Sequence, residues 1–416
     1  MIRTTELDCG ITVVTEAMPD VRSVSAGFWV GTGSRDEPPV LAGASHFLEH
    51  LLFKGTPTRP ARRIAEDVDA VGGDMNAFTA KEHTAFYLRV LDESLELGLD
   101  ILSDILWDPA FRPDEVESER QVILEEILMR ADEPADFVHE VFAEALFPDH
   151  PLGREVLGDE ARIEAMSPDD IRSFWAHHYR PGNIVFSAAG RLDHDALAAG
   201  VERRFAGERG GERPRRTPLG EGVEPVTVST QSTEQAHLVL GVRALSQDDE
   251  RRYALSVLDH VLGGGLSSRL FQAIREDRGL AYSVYSYRSS YEDTGALSAY
   301  AGTAVENAQQ VLELMNDEFD RLAASGITAR ELEVAKGHLK GEMALSLEDS
   351  GARMHRIGRS QLIHGRVVPV DELVARIDAV TLDAVAEVAA EVLSGPRVLA
   401  VVGPFDSDAF ADARVA

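Results

Sequence analysis

The densest chemistry in the chain lies in Ser45-His46-Phe47-Leu48-Glu49-His50-Leu51-Leu52-Phe53. On a helix, positions i, i+3 and i+4 share a face, so His46, Glu49 and His50 project together. Two neutral imidazoles four residues apart suit a zinc ion, and a nearby carboxylate that is not a ligand can take a proton from a water held there. That is the equipment of a metal-dependent hydrolase. Taken alone, the string also fits an amphipathic helix with merely exposed histidines. A third ligand decides between the two readings, because a catalytic zinc takes three protein ligands and keeps one position open.

The elements around this stretch have to position it. Ile11–Thr15 and Val24–Val30 alternate as strands joined through a turn at Met18-Pro19-Asp20, and a loop rich in Gly and Pro from Gly31 to Pro39 feeds the motif helix. Lys54-Gly55-Thr56-Pro57 ends that helix, and a second runs from Arg62 to Val71 and closes at Gly72-Gly73. Next come two strand-like runs, Asp74–Ala80 and Thr84–Val90. Helical patterns then cover 92–106, 113–131, 134–146 and 167–177, before the strand Ile184–Gly190.

Composition narrows the function classes. The chain has 416 residues, too many for one ordinary core, with 44% hydrophobic and 27% charged residues. Its net charge of −30 argues against nucleic acid and favours basic partners or substrates, with solubility as the plain alternative. A single cysteine, Cys9, excludes a disulfide framework and a cysteine-rich metal site. No signal peptide is visible and no apolar run reaches the roughly 20 residues of a membrane span. A cytoplasmic protein with no membrane association is the expectation.

From Ala206 to Pro225 Gly and Pro crowd among charges, which reads as a linker. The chain beyond this linker repeats the chain before it. An offset of 210 places Ser256-Val257-Leu258-Asp259-His260 on His46-Phe47-Leu48-Glu49-His50, an offset of 216 places Glu342 on Glu126, and one of 213 places the strand ending at Gly403 on that ending at Gly190. The chain is therefore two homologous halves, 1–205 and 226–416 around the linker 206–225, and the second has lost the first ligand.

His46-Phe47-Leu48-Glu49-His50 after a Gly-rich loop, Gly72-Gly73 with Asn76-Ala77-Phe78-Thr79, and Glu119 with Glu126 on a later helix together resemble the pitrilysin and insulinase family. The bacterial members similar to mitochondrial processing peptidase are the nearest in look. His-x-x-Glu-His is the inverzincin order of the zinc motif. The resemblance covers essentially the whole chain and implies one Zn²⁺ per chain held by His46, His50 and Glu126, with Glu49 as general base. Glu119 lies seven residues, two helical turns, before Glu126 and suits a carboxylate that holds a ligating histidine by its ring N–H; the resemblance implies a supporting catalytic role there too. Asn76 and Ala77, on an edge strand, would bind substrate backbone, since an unpaired edge accepts an extended peptide as an added strand.

In the second half, Arg275 and Tyr282 resemble the family's arginine–tyrosine pair that reaches substrate, with Arg278 as the competing arginine. The fork of an Arg can bind a peptide carbonyl, and a Tyr can donate to the oxyanion formed on water attack. The expected fold is α+β: two homologous halves, each a mainly antiparallel sheet with helices packed on one face, together forming half of a clamshell chamber. The resemblance further implies a homodimer, because a full chamber takes four such halves. The expected function is zinc-dependent endopeptidase action on unfolded or short, basic peptides. A non-catalytic or structural subunit of a processing-peptidase-like complex is the alternative, disfavoured by an intact zinc motif.

Overall fold

The computed structural model describes residues 1–414. The first half runs β1 (Ile2–Glu6), β2 (Thr12–Ala17), β3 (Ser23–Val30), α1 (Ala44–Leu52), α2 (Ala61–Asp69), β4 (Asp74–Thr79), β5 (Thr84–Leu91), α3 (Leu95–Trp107), α4 (Pro113–Ala131), α5 (Pro134–Leu146), α6 (Glu160–Ala165), α7 (Pro168–His178), β6 (Ile184–Gly190) and α8 (His194–Arg204). The second runs β7 (Val226–Thr230), β8 (Gln235–Ala244), α9 (Arg252–Leu262), β9 (Ala281–Ser290), β10 (Gly295–Ala304), α10 (Ala308–Ser325), α11 (Ala329–Ser346), α12 (Ser350–His364), α13 (Val370–Ala379), α14 (Leu382–Leu393) and β11 (Arg397–Gly403). No helix among the described residues is long and apolar enough to cross a membrane.

The sheets confirm the duplication strand by strand. One has the order β1-β2-β6-β3-β5-β4 and the other β7-β11-β8-β10-β9, so that removing β1 leaves identical topologies. In each, one parallel pair (β2/β6, β7/β11) is set among antiparallel ones. Trp29 pairs across to Ala85 and Val185 in the first sheet, as Gly241 pairs to Ser298 and Val398 in the second.

Alternation along the strands gives each sheet two apolar faces. Val24, Ala26, Phe28 and Val30 point into a core shared with α1 and α3, while Trp29 points the other way, onto α12. Likewise Leu238, Leu240 and Val242 face the helices of the second half, and Val239 faces α5. The main helical layer thus lies on one face of each sheet and a single helix covers the other.

That single helix comes from the opposite half of the sequence. Residues 128–154, with α5, belong to the second compact unit, and residues 344–369, with α12, belong to the first. The division expected at 206–225 is crossed by both helices, because an amphipathic pattern shows that a face must be buried and does not say against which sheet. Packing at the two exchanged helices is complementary. In α12 Gly358 meets Trp29, and a Cβ there would stand 2.2 Å from the indole Nε1; in α5 the large residue is on the helix, and Phe142 lies on Gly241, where a Cβ would stand 2.6 Å from the ring.

Residues 206–225 hold no helix or strand, yet they are tied down. The Gly182 N–H donates to Gly210 O (2.8 Å), Arg216 binds Asp36 and the Glu82 carbonyl, and Arg243 binds the carbonyls of Gly220 and Gly222. The Gly- and Pro-rich stretch is irregular backbone, and not a free tether.

Gly358→Ala should force the buried Trp29 ring, whose Nε1 donates to Ser187 Oγ at 2.8 Å, out of place. Overpacking of this kind costs about 1–3 kcal/mol. Thermal unfolding followed by tryptophan emission should show a lowered Tm and an altered native spectrum; an unchanged Tm would mean that α12 does not sit this close to the sheet.

Candidate metal centre

Helix α1 starts where it does because its first turn is capped from the preceding loop. Gly43 takes φ +95°, and the buried Glu37 carboxylate accepts from the N–H groups of Gly43 (2.8 Å) and Ser45 (2.7 Å). A carboxylate there satisfies orphan donors and complements the helix dipole. Phe47, Leu48, Leu51 and Leu52 are buried in the core of the first unit. That fixes the rotation of α1 and leaves His46, Glu49 and His50 on the other side.

Helix α4 is held by its own anchors. Val116 and Ile123 are buried, and Arg120 binds the carbonyls of Ile163 and Met166 while its guanidinium stands 5.5 Å over the Phe47 ring. Glu119 and Glu126 then face α1. Glu126 Oε2 lies 3.6 Å from His46 Nε2 and 3.6 Å from His50 Nε2. Glu119, almost wholly buried, accepts from His50 Nδ1 at 3.0 Å and pairs with the Lys54 ammonium at 2.6 Å.

These distances test whether a metal fits. At 3.6 Å the contacts of Glu126 Oε2 are too long for hydrogen bonds, and this buried oxygen accepts none among the described residues. Two tetrahedral ligands each roughly 2.1 Å from one ion stand about 3.4 Å apart. His46, His50 and Glu126 are also the one group of three or more His, Cys, Asp or Glu among the described residues whose ligand atoms all lie within 4.8 Å of one another. The donor set, two imidazoles and a carboxylate, is that of a catalytic zinc with an open fourth position. The Glu119 bond places the proton of His50 on Nδ1 and turns the Nε2 lone pair toward the site.

Glu49 stands beside the set without joining it. Burial pushes its carboxyl above the ordinary carboxylate range, against the pull of the Thr79 hydroxyl, which donates to Oε2 at 2.7 Å. A base with a raised pKa is the more effective near neutral pH. Thr79, Glu37 and Lys54 were given no role by sequence reasoning. Thr79 was within reach of it, since it closes the Asn76-Ala77-Phe78-Thr79 run.

Asn76 and Ala77 lie in β4, the outer strand of its sheet, and the Ala77 N–H donates to Asn76 Oδ1 at 2.8 Å. Arg275 and Tyr282 belong to the second unit and are brought to each other: the Arg275 guanidinium, on a π-helical turn at Phe271–Glu276, stands 4.6 Å over the ring of the exposed Tyr282. Arg278 instead donates to the Ala273 carbonyl at 2.7 Å. The duplicated counterpart of the metal set has drifted. Ser256 stands for His46, Asp259 is engaged by Ser286 and Arg288, and His260 stacks on His338 at 4.2 Å.

Comparison with known proteins gives a consistent answer. Residues 12–160 match the family model "Insulinase (Peptidase family M16)", and residues 165–339 match "Peptidase M16 inactive domain". An uncharacterized zinc protease of Streptomyces coelicolor is 46% identical over 97% of this chain and 90% of its own length. Another, from Bacillus subtilis, is 41% identical over 97% and 98%. Among solved structures, a peptidase M16 inactive domain from Pseudomonas fluorescens (TM-score 0.87, 21% identity, 98% of both chains) and a protease from Helicobacter pylori (TM-score 0.88, 20% identity, 97% of this chain and 99% of that one) share the fold.

His46→Ala, His50→Ala and Glu126→Ala should each strip zinc from the protein, read as metal content after dialysis. Glu125→Ala should not, since Glu125 is exposed and about 100° around the helix. Glu119→Gln should weaken zinc roughly 10–100-fold in a chelator competition. Zinc loss on replacing Glu125 with retention on replacing Glu126 would overturn the ligand set.

Proposed function

Because the chain belongs to the insulinase family of peptidases, family M16, we propose that it is a zinc-dependent endopeptidase in which His46, His50 and Glu126 hold one Zn²⁺ and Glu49 is the general base. The observation that carries the ligand set is the triangle of two Nε2 atoms around the buried Glu126 Oε2, which has no hydrogen-bond partner among the described residues. Zinc, when bound, supplies a Lewis acid that polarises the scissile carbonyl and makes water acidic enough to be activated near neutral pH.

The protein's own groups do the rest. Glu49 takes a proton from the attacking water and later returns it to the leaving amine. Thr79 holds the Glu49 carboxylate in place through its 2.7 Å bond. Glu119 keeps His50 in the ligating tautomer. An extended peptide adds to the outer edge of β4, with Asn76 and Ala77 bonding its backbone, so affinity comes from main-chain bonds and side-chain choice stays loose. Arg275 binds a peptide carbonyl through its fork, and Tyr282 donates to the developing oxyanion. The intact set of ligands and base weighs against a purely structural role.

Family resemblance extends the proposal to assembly and substrate. One chain supplies two of the four halves of a chamber, so a homodimer completes it, and an enclosed site admits unfolded or short peptides while excluding compact proteins. The net charge of −30 favours basic peptides, most strongly at low salt.

Glu49→Gln should keep zinc and lose peptide hydrolysis by roughly 10²–10⁴. Near-normal turnover in that variant would remove Glu49 as the base. Thr79→Val should lower kcat with KM and zinc content little changed, and Thr79→Ser should restore it; equal loss in both would point to packing instead of the hydroxyl. For substrates, kcat/KM on basic peptides should exceed that on acidic peptides of matched length and fall as salt rises. Equal rates at low salt would remove the charge argument, and efficient digestion of a stable folded protein would remove the chamber.

A further inference from the structure

The carboxylate that orients His50 is itself held, by a residue to which the proposed chemistry gives no part. Glu119 Oε2 accepts from the His50 ring, and Oε1 lies 2.6 Å from the Lys54 ammonium. Lys54 is partly buried, in the turn that closes α1, and its backbone is fixed there. Its N–H donates to Leu51 O at 3.0 Å, Gly55 beside it takes φ +105°, and Arg112, just ahead of α4, donates to the carbonyls of Lys54 and Thr56, the second at 2.8 Å. The side chain therefore reaches Glu119 from a set starting point.

A lysine suits this place for a physical reason. The chain has four lysines, Lys54, Lys81, Lys336 and Lys340, among its 41 basic residues, so arginine is its ordinary choice. An arginine fork tends to take both oxygens of a carboxylate, whereas an ammonium is a point charge that occupies one. An ammonium on Oε1 leaves Oε2 to His50. It also meets the charge of a buried carboxylate, which is costly when left alone.

The duplicated half shows what the pair serves. At the offsets that align the two copies, Lys54 falls on Gly264 and Glu119 on Ala335. Ala335 is wholly buried in the apolar core of the second unit, and a Cβ on Gly264 would stand 2.7 Å from the His260 Cα. Both partners are gone together, and that copy keeps its sheet and helices without them. The contact at the base position is kept instead. Ala85 and Ser298 are equivalent across the two sheets and pair to Phe78 and Tyr287, so Thr79 and Arg288, one residue on, are equivalent as well. Arg288 bonds Asp259 at 3.2 Å, where Thr79 bonds Glu49 at 2.7 Å. The Lys54–Glu119 pair thus goes with the metal ligands and is not a requirement of the fold.

We propose that Lys54 is a positioning residue of the metal centre: its ammonium holds Glu119 Oε1, which turns Oε2 onto His50 Nδ1 and presents His50 Nε2 to the zinc. The inference rests on the ligand set proposed above. Its sign is opposite to that of a bystander charge. An ammonium near a dication repels it, so removing a charge that did nothing else would tighten zinc or leave it unchanged. Removing a positioning residue loosens zinc although a positive charge is lost.

A double-mutant cycle on zinc affinity tests this. Dissociation constants are taken by chelator competition for the parent, Lys54→Met, Glu119→Gln and the double variant. Lys54→Met should weaken zinc roughly tenfold or more, as for a lost partner of a ligating histidine. On the Glu119→Gln background, where no carboxylate is left to hold, the same substitution should change the affinity by less than about twofold. In zinc-free protein, ring nitrogen chemical shifts should show His50 protonated on Nδ1 alone in the parent and as a mixture of tautomers in Lys54→Met. The Tm of each zinc-free protein reports the fold. Equal zinc loss on both backgrounds marks a structural role and overturns the proposal, as does an unchanged His50 tautomer or zinc held as tightly by Lys54→Met as by the parent. A parent that binds no zinc overturns the ligand set and the proposal together. The expected cycle with no peptide cleavage by the parent upholds Lys54 and removes the peptidase reading.

Discussion

The buried carboxylate of Glu119 is the interaction on which the proposed metal centre depends. It binds the His50 ring on one oxygen and the Lys54 ammonium on the other, and so fastens α4 to α1 and to the turn that ends it. Taking a carboxylate out of water costs several kcal/mol unless its lone pairs are met, so this bond is stable only when both helices are in register. Glu126 stands two turns further along α4. The same register that satisfies Glu119 therefore brings Glu126 Oε2 between the two Nε2 atoms, where it has no hydrogen-bond donor among the described residues. Satisfied support and an unsatisfied carboxylate oxygen on one helix face are what the proposed cation site requires.

Around this contact the molecule is a duplication that has been allowed to diverge where it does not bear on the site. Apart from the additional β1, both sheets keep the same strand order, and the central strands β3 and β8 keep equivalent cross-strand partners. Each takes its second-face helix from the other half, and the packing there is solved in opposite senses, glycine on the helix against tryptophan in one case and phenylalanine on the helix against glycine in the other. Among the described residues the proposed metal set stands in one copy alone. In the other, Asp259 has turned to Ser286 and Arg288, and His260 to His338.

Much of this was legible in the sequence. The spacing of His46, Glu49 and His50 told that they share a face, and Phe47, Leu48, Leu51 and Leu52 told which face is buried. The strands Asp74–Thr79 and Thr84–Leu91 and the helices Pro113–Ala131 and Pro134–Leu146 lie within a residue or so of the boundaries that periodicity suggests. Glu126 needed the family resemblance, since Glu115, Glu117 and Glu125 are neighbours of the same type and periodicity does not choose among them. The exchange of α5 and α12 was not legible, because an amphipathic stripe has no address. Nor was the bond of Thr79 to Glu49, which joins a strand to a helix over 30 residues, or the docking of 206–225, where composition speaks of backbone irregularity and the tethering side chains lie elsewhere.

The most direct test of the central claim is anomalous diffraction at the zinc edge from crystals of the wild-type protein grown with zinc. The account predicts one strong peak per chain, bonded by His46 Nε2, His50 Nε2 and Glu126 Oε2 and by no other protein atom, with Glu119 still on His50 Nδ1. A peak ligated by Glu119 or Glu49, a peak in the second unit at His260, or no peak at all would contradict it.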